Sequence, residues 1–102
     1  MSRGPAWFRA KAGKRDKAHA PIASALTKLG YVVADLGGAA GGVPDLAARW
    51  PRWTSGEWRW LEVKSPDGEL TPAQVELHTA WAMKGIKVHV VRTLDECLAV
   101  LR

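Results

Sequence analysis

Two runs decide the reading of this chain: Asp45-Leu46-Ala47-Ala48-Arg49-Trp50 and Glu57-Trp58-Arg59-Trp60-Leu61-Glu62-Val63-Lys64. Both have strand character, and Thr54, Ser55 and Gly56 supply turn chemistry between them, so the stretch reads as a β-hairpin. Side chains at i and i+2 on a strand share a face. Glu62 and Lys64 therefore point one way, and Leu61 and Val63 the other. Asp45 opens the partner strand, which puts it within reach of Glu62 across the pair. Two carboxylates held close repel unless a cation neutralises them. Mg2+ takes oxygen ligands and keeps several waters, which suits such a pair. Taken alone, Glu62 and Lys64 are better explained as a surface salt bridge on an edge strand, a common and weak feature. The glycine-rich loop at 37–42 and Pro44-Asp45 at the start of a paired strand reverse that balance.

Working outward, residues 16–29 read as a helix with Ile22, Leu26 and Leu29 as its apolar stripe and Gly30 as its stop. His19 falls on the same stripe. Pro21 places the helix start near Ala20 or itself inside the first turn. A strand is expected over 31–36. After the hairpin, Thr71 caps a helix with Pro72 at its first position and Gln74 three residues on, a capping-box pattern. A strand over 86–92 and a last helix to about Leu101, capped by Thr93 with Glu96 repeating the box, complete the order α-β-β-β-α-β-α. That order implies an α/β fold, a mixed sheet flanked by helices.

A length of 102 residues fits one domain, and 47% apolar residues supply a modest core. The single Cys97 excludes a disulfide framework and points to a reducing compartment. No apolar run approaches membrane-spanning length, so the expectation is a cytoplasmic protein with no membrane partner. Of fifteen basic and ten acidic residues, six and one lie in residues 1–17, leaving nine of each in the remainder. The net charge of +5 is thus carried by an N-terminal segment. Residues 1–14 read as a basic flexible arm and 15–102 as the domain. Lys11, Lys14, Arg15 and Lys17 are candidate phosphate contacts, joined by Arg49 and Arg52 on the hairpin. A solubilising tail accounts for the same charge equally well.

The 37–42 loop has the spacing of a phosphate loop, but Val43-Pro44 stands where Lys-Ser/Thr would bind nucleotide and Mg2+, so no nucleotide cofactor is expected. Its glycines allow close approach of a DNA backbone or a tight turn. Trp50, Trp53, Trp58 and Trp60 crowd the hairpin, where they suit stacking on bases, a dimer interface or the core.

Gly42-Val43-Pro44-Asp45 followed by Glu62-Val63-Lys64 resembles the signature of the PD-(D/E)XK nucleases. The wider resemblance is to small stand-alone VRR-NUC-type and Holliday-junction-resolvase-like nucleases, often of phages. It runs from Arg15-Asp16 through Leu70-Thr71-Pro72-Ala73-Gln74, His78 and Gly85 to Val90-Val91-Arg92-Thr93. The resemblance implies a restriction-endonuclease-like fold and an endonuclease hydrolysing DNA phosphodiesters with Mg2+ or Mn2+. It makes Asp45, Glu62 and the Val63 carbonyl metal ligands, Lys64 catalytic and Gln74 accessory. Relatives commonly carry a glutamate in the first helix where this chain has His19, which makes His19 a candidate ligand and leaves metal number and identity open. The competing reading, a catalytically inactive DNA-binding or assembly module on a nuclease fold, draws its support from that departure. Selectivity for branched or junction DNA and a homodimer are further expectations.

Overall fold

A computed structural model describes residues 18–37 and 41–102 of the chain. The expected arm, with Lys11 and Lys14, lies outside the described residues, as do Arg15, Asp16 and Lys17. Helix α1 is His19–Lys28, with Ala18 at the N-cap position making no side-chain cap and Pro21 inside its first turn, where a missing N–H costs nothing. Gly30, at φ 99°, ends it: Gly30 N–H bonds the Thr27 carbonyl and Tyr31 N–H the Leu26 carbonyl, a Schellman closure. His19, Ile22 and Leu26 are buried as the stripe requires. Leu29 is not; it sits at the C-cap, where the chain is already turning away, and is half exposed.

The sheet has the order β1 (Val32–Asp35), β2 (Leu46–Arg49), β3 (Arg59–Val63), β4 (Val88–Val91). β2 pairs antiparallel with both β1 and β3, and β4 pairs parallel with β3. A parallel partner needs a crossover, supplied by α2 (Pro72–Ala82). α3 (Leu94–Leu101) closes the chain. This is the α/β arrangement and element order expected, with shorter strands. Pro51 has no N–H for a ladder, and beyond Arg49 side-chain bonds replace it: the Arg49 guanidinium donates to the carbonyls of Trp53 (3.2 Å) and Glu57 (3.4 Å).

One sheet face carries the main core. Leu46, Ala48, Leu61, Val63 and Val91 pack with Ile22 and Leu26 of α1 and Cys97 and Leu101 of α3. Burial pushes the Cys97 thiol up to about 11, with Glu96 adding to the effect, as suits a packing residue. The other face is covered in part by α2, whose Trp81 meets Trp60 edge to face at 5.4 Å. The inner residues of α2 are Gln74, Leu77, His78 and Trp81, spaced three or four apart. Half of that stripe is polar, so the helix looks poorly amphipathic. Its capping box forms as expected, with Thr71 and Gln74 bonded reciprocally. The second box is partial: the Thr93 hydroxyl accepts from Glu96 N–H, but the Glu96 carboxylate reaches past Thr93 to Arg92 N–H at 2.6 Å. Among the described residues no helix is long and apolar enough to cross a membrane.

Candidate active site

Asp45 precedes β2 by one residue, and its carbonyl accepts from Leu36 N–H at 2.7 Å, prolonging the β1–β2 pairing. Leu46 pairs with Leu61, so one step along the antiparallel register sets Asp45 opposite Glu62. The Asp45 Oδ2 accepts from Val63 N–H at 2.8 Å. Within a strand a residue's N–H and C=O point to the same edge, so the Val63 carbonyl lies on the Asp45 side. The next amide, Lys64 N–H, points the other way, to the Val91 carbonyl at 3.0 Å.

Glu62 is 1% exposed. The Gln74 amide nitrogen donates to its Oε2 at 3.2 Å, while the Gln74 oxygen accepts from Thr71 N–H. Gln74 therefore caps the helix and holds the carboxylate at once. One turn on, His78 Nε2 lies 3.6 Å from Glu62 Oε1 and, among the described residues, has no hydrogen-bond partner. Burial holds the His78 ring below the usual imidazole range, the nearby Lys64 ammonium adds to this, and the Asp45 carboxylate opposes it.

His19 enters from α1, 1% exposed. Its Nε2 bonds Asp35 Oδ1 at 3.0 Å, and the same oxygen accepts from Gly37 N–H at 2.8 Å. Its Nδ1 has no hydrogen-bond partner among the described residues and faces Asp45 Oδ1 at 3.9 Å. Gly42, at φ 80°, closes the loop against α2; a Cβ there would strike the Ala73 carbonyl. The approach this glycine permits is thus to the helix backbone.

Among the described residues no three His, Cys, Asp or Glu side chains form a ready metal cage. A Mg2+-like ion needs few protein ligands, because it retains much of its water. The donor chemistry fits such an ion: Asp45 and Glu62 oppose each other, the Val63 carbonyl lies alongside, and a buried imidazole nitrogen faces Asp45.

Asp45, Glu62, Val63, Lys64, Gln74 and His19 are thus brought together. Arg49 and Arg52 are not; Arg49 lies four residues along the strand from Asp45, about 13 Å away. The reading of the sequence passed over Asp35, whose signal was an acid closing a strand just before a glycine-rich loop. It left His78 outside the site, although the spacing from Gln74 put both on one helical face.

The VRR-NUC domain family matches residues 1–94. A solved structure titled "VRR_NUC domain" shares 26% identity and superposes with a TM-score of 0.59, covering 82% of this chain and 90% of that one. No curated protein matches. On a match spanning nearly its whole length, and with its fold shared with a solved domain of that title, the chain belongs to the VRR-NUC domain family, a nuclease-type domain.

Proposed function

We propose that this protein is a metal-dependent endonuclease that hydrolyses DNA phosphodiester bonds, selective for branched or junction DNA. The observation that carries the reading is the opposition of Asp45 and Glu62 across β2 and β3, with Lys64 two residues from Glu62. Asp45, Glu62 and the Val63 carbonyl would hold Mg2+ or Mn2+, with His19 beside them. When bound, the ion would polarise a phosphate oxygen and acidify the attacking water. The chain's own groups prepare the site. Val63 N–H fixes the Asp45 carboxylate, and the Gln74 amide fixes that of Glu62. Lys64 orients the water and offsets charge growing on the phosphate. DNA affinity draws on the basic residues, Lys11, Lys14, Arg15 and Lys17 foremost.

The reading includes a homodimer, since one such domain presents one site to one strand and two-fold pairing is the common solution. It also includes a cytoplasmic setting and a phage-type origin. The test is incubation with four-way junction, flap, nicked and linear duplex DNA in Mg2+, Mn2+ or EDTA. Cleavage is expected in either metal, fastest on branched DNA, and absent in EDTA. Binding without cleavage in every metal would return the protein to the inactive-module reading. Light scattering with DNA present is expected to give twice the chain mass.

A further inference from the structure

We infer that Asp35 is a positioning residue for the metal site, acting through His19; the inference rests on the metal-dependent reading above. A carboxylate only accepts hydrogen bonds, so the 3.0 Å contact between His19 Nε2 and Asp35 Oδ1 requires the proton on Nε2. In the neutral ring that leaves Nδ1 with a bare lone pair. Nδ1 is buried, lacks a hydrogen-bond partner among the described residues, and faces Asp45 Oδ1. At 3.9 Å the two atoms are too far apart to share a hydrogen bond and are both electron-rich. A cation bound at this site would answer both.

Asp35 is itself fixed. The oxygen that holds His19 also accepts from Gly37 N–H, at the start of the loop leading to Asp45. Asp35 closes β1, beside Leu46 at the start of β2, so tautomer, ring orientation and Asp45 are set by one sheet end. An imidazole oriented by a carboxylate is a stronger ligand, and it suits transition-metal dications better than Mg2+. Asp35 thereby biases the site toward Mn2+.

The experiment is calorimetric titration of Mn2+ and of Mg2+ into the full chain without DNA, for the natural sequence, Asp35→Asn, His19→Ala and the double variant. Asp35→Asn is expected to weaken Mn2+ binding by about tenfold or more, as loss of such outer partners does, and to leave Mg2+ binding less changed. In the His19→Ala background Asp35→Asn is expected to cost less than about twofold, since a residue acting through His19 cannot act without it. Equal Mn2+ affinity in Asp35→Asn, or a full loss persisting without His19, overturns the inference and leaves the nuclease reading standing. A natural chain that binds neither metal overturns both. If Asp35→Asn does not fold, long-range 15N–1H spectra of the natural chain decide: an Nε2–H tautomer for His19 supports the inference and an Nδ1–H tautomer overturns it.

Discussion

At one end of the β2–β3 pair, Glu62 is buried under α2 and Asp45 stands across from it; at the other, Arg49 and Arg59 flank a connection whose Trp58 is 37% exposed. The Arg49 and Arg59 charges are answered nearby. Arg49 spans two carbonyls, while Arg59 pairs with Glu57 at 3.1 Å and lies over the Trp53 ring at 4.9 Å. At the site end the anchors include a backbone N–H and an amide, donors that orient a carboxylate without cancelling its charge. The same hairpin thus uses charge to stitch a turn at one end and uncharged donors to hold acids in place at the other. On the proposed function, groups that stitch the turn should act on stability and groups at the site end on rate.

The sharpest test of that division is catalytic. Asp45→Asn, Glu62→Gln and Lys64→Ala are each expected to lower DNA cleavage by about a hundredfold or more. Arg52→Ala, at the far end, is expected to leave the rate per bound complex unchanged. Glu62→Gln removes a buried charge, so its metal-free melting temperature is expected to equal or exceed that of the natural chain. Natural rates in two of the three variants would break the comparison.

Glycines sharpen it next. Gly42→Ala meets both a positive φ and the Ala73 carbonyl, so it is expected to destabilise by about 1–3 kcal/mol. At Gly56 in the connection a Cβ meets nothing, and Gly56→Ala is expected to stay within about 0.5 kcal/mol. Urea titrations of both check it.

Arg49→Ala comes third. Losing two partly exposed bonds to carbonyls is expected to cost about 1 kcal/mol, with DNA affinity little changed. A loss of affinity with an unchanged melt would instead make Arg49 the phosphate contact that its place in the sequence suggests.

The smallest effect is in pH. His89 is held below the usual imidazole range by burial first, then by Lys87 and Arg59, as His78 is at the site end. The unfolded chain takes up these protons at about pH 6.5, before the folded chain does. Stability is therefore lost as pH falls below that value toward the lower folded pKa. Thermal melts from pH 7.5 to 5.5 are expected to decline, and His89→Gln to flatten the decline only in part, because His78 remains.

Much of this was legible in local spacing. The order of elements followed from caps and periodicity: Thr71-Pro72 with Gln74, Gly30 after a helical stripe, and alternation along Trp60-Leu61-Glu62-Val63. Strand ends were less legible, because beyond Arg49 the ladder gives way to bonds from its side chain to residues that spacing does not single out. Leu29 was misread as buried because a stripe says which face turns inward and not where the sheet beneath it ends.

By itself, then, the sequence determined the elements, the shared face of Glu62 and Lys64, and the opposition of Asp45, since each depends on residues a few positions apart or on one hairpin register. Only the tertiary structure decided that Gln74 serves both Thr71 and Glu62, that His78 stands over the buried acid, and that Asp35 holds His19 beside Asp45. Apart from the Thr71 cap, which is local, those contacts join residues 12 or more positions apart. They exist because α2 crosses back over β3 to lay β4 parallel to it, while α1 packs on the opposite face with its first residue at the end of β1. Layer packing sets that arrangement, and no local period encodes it.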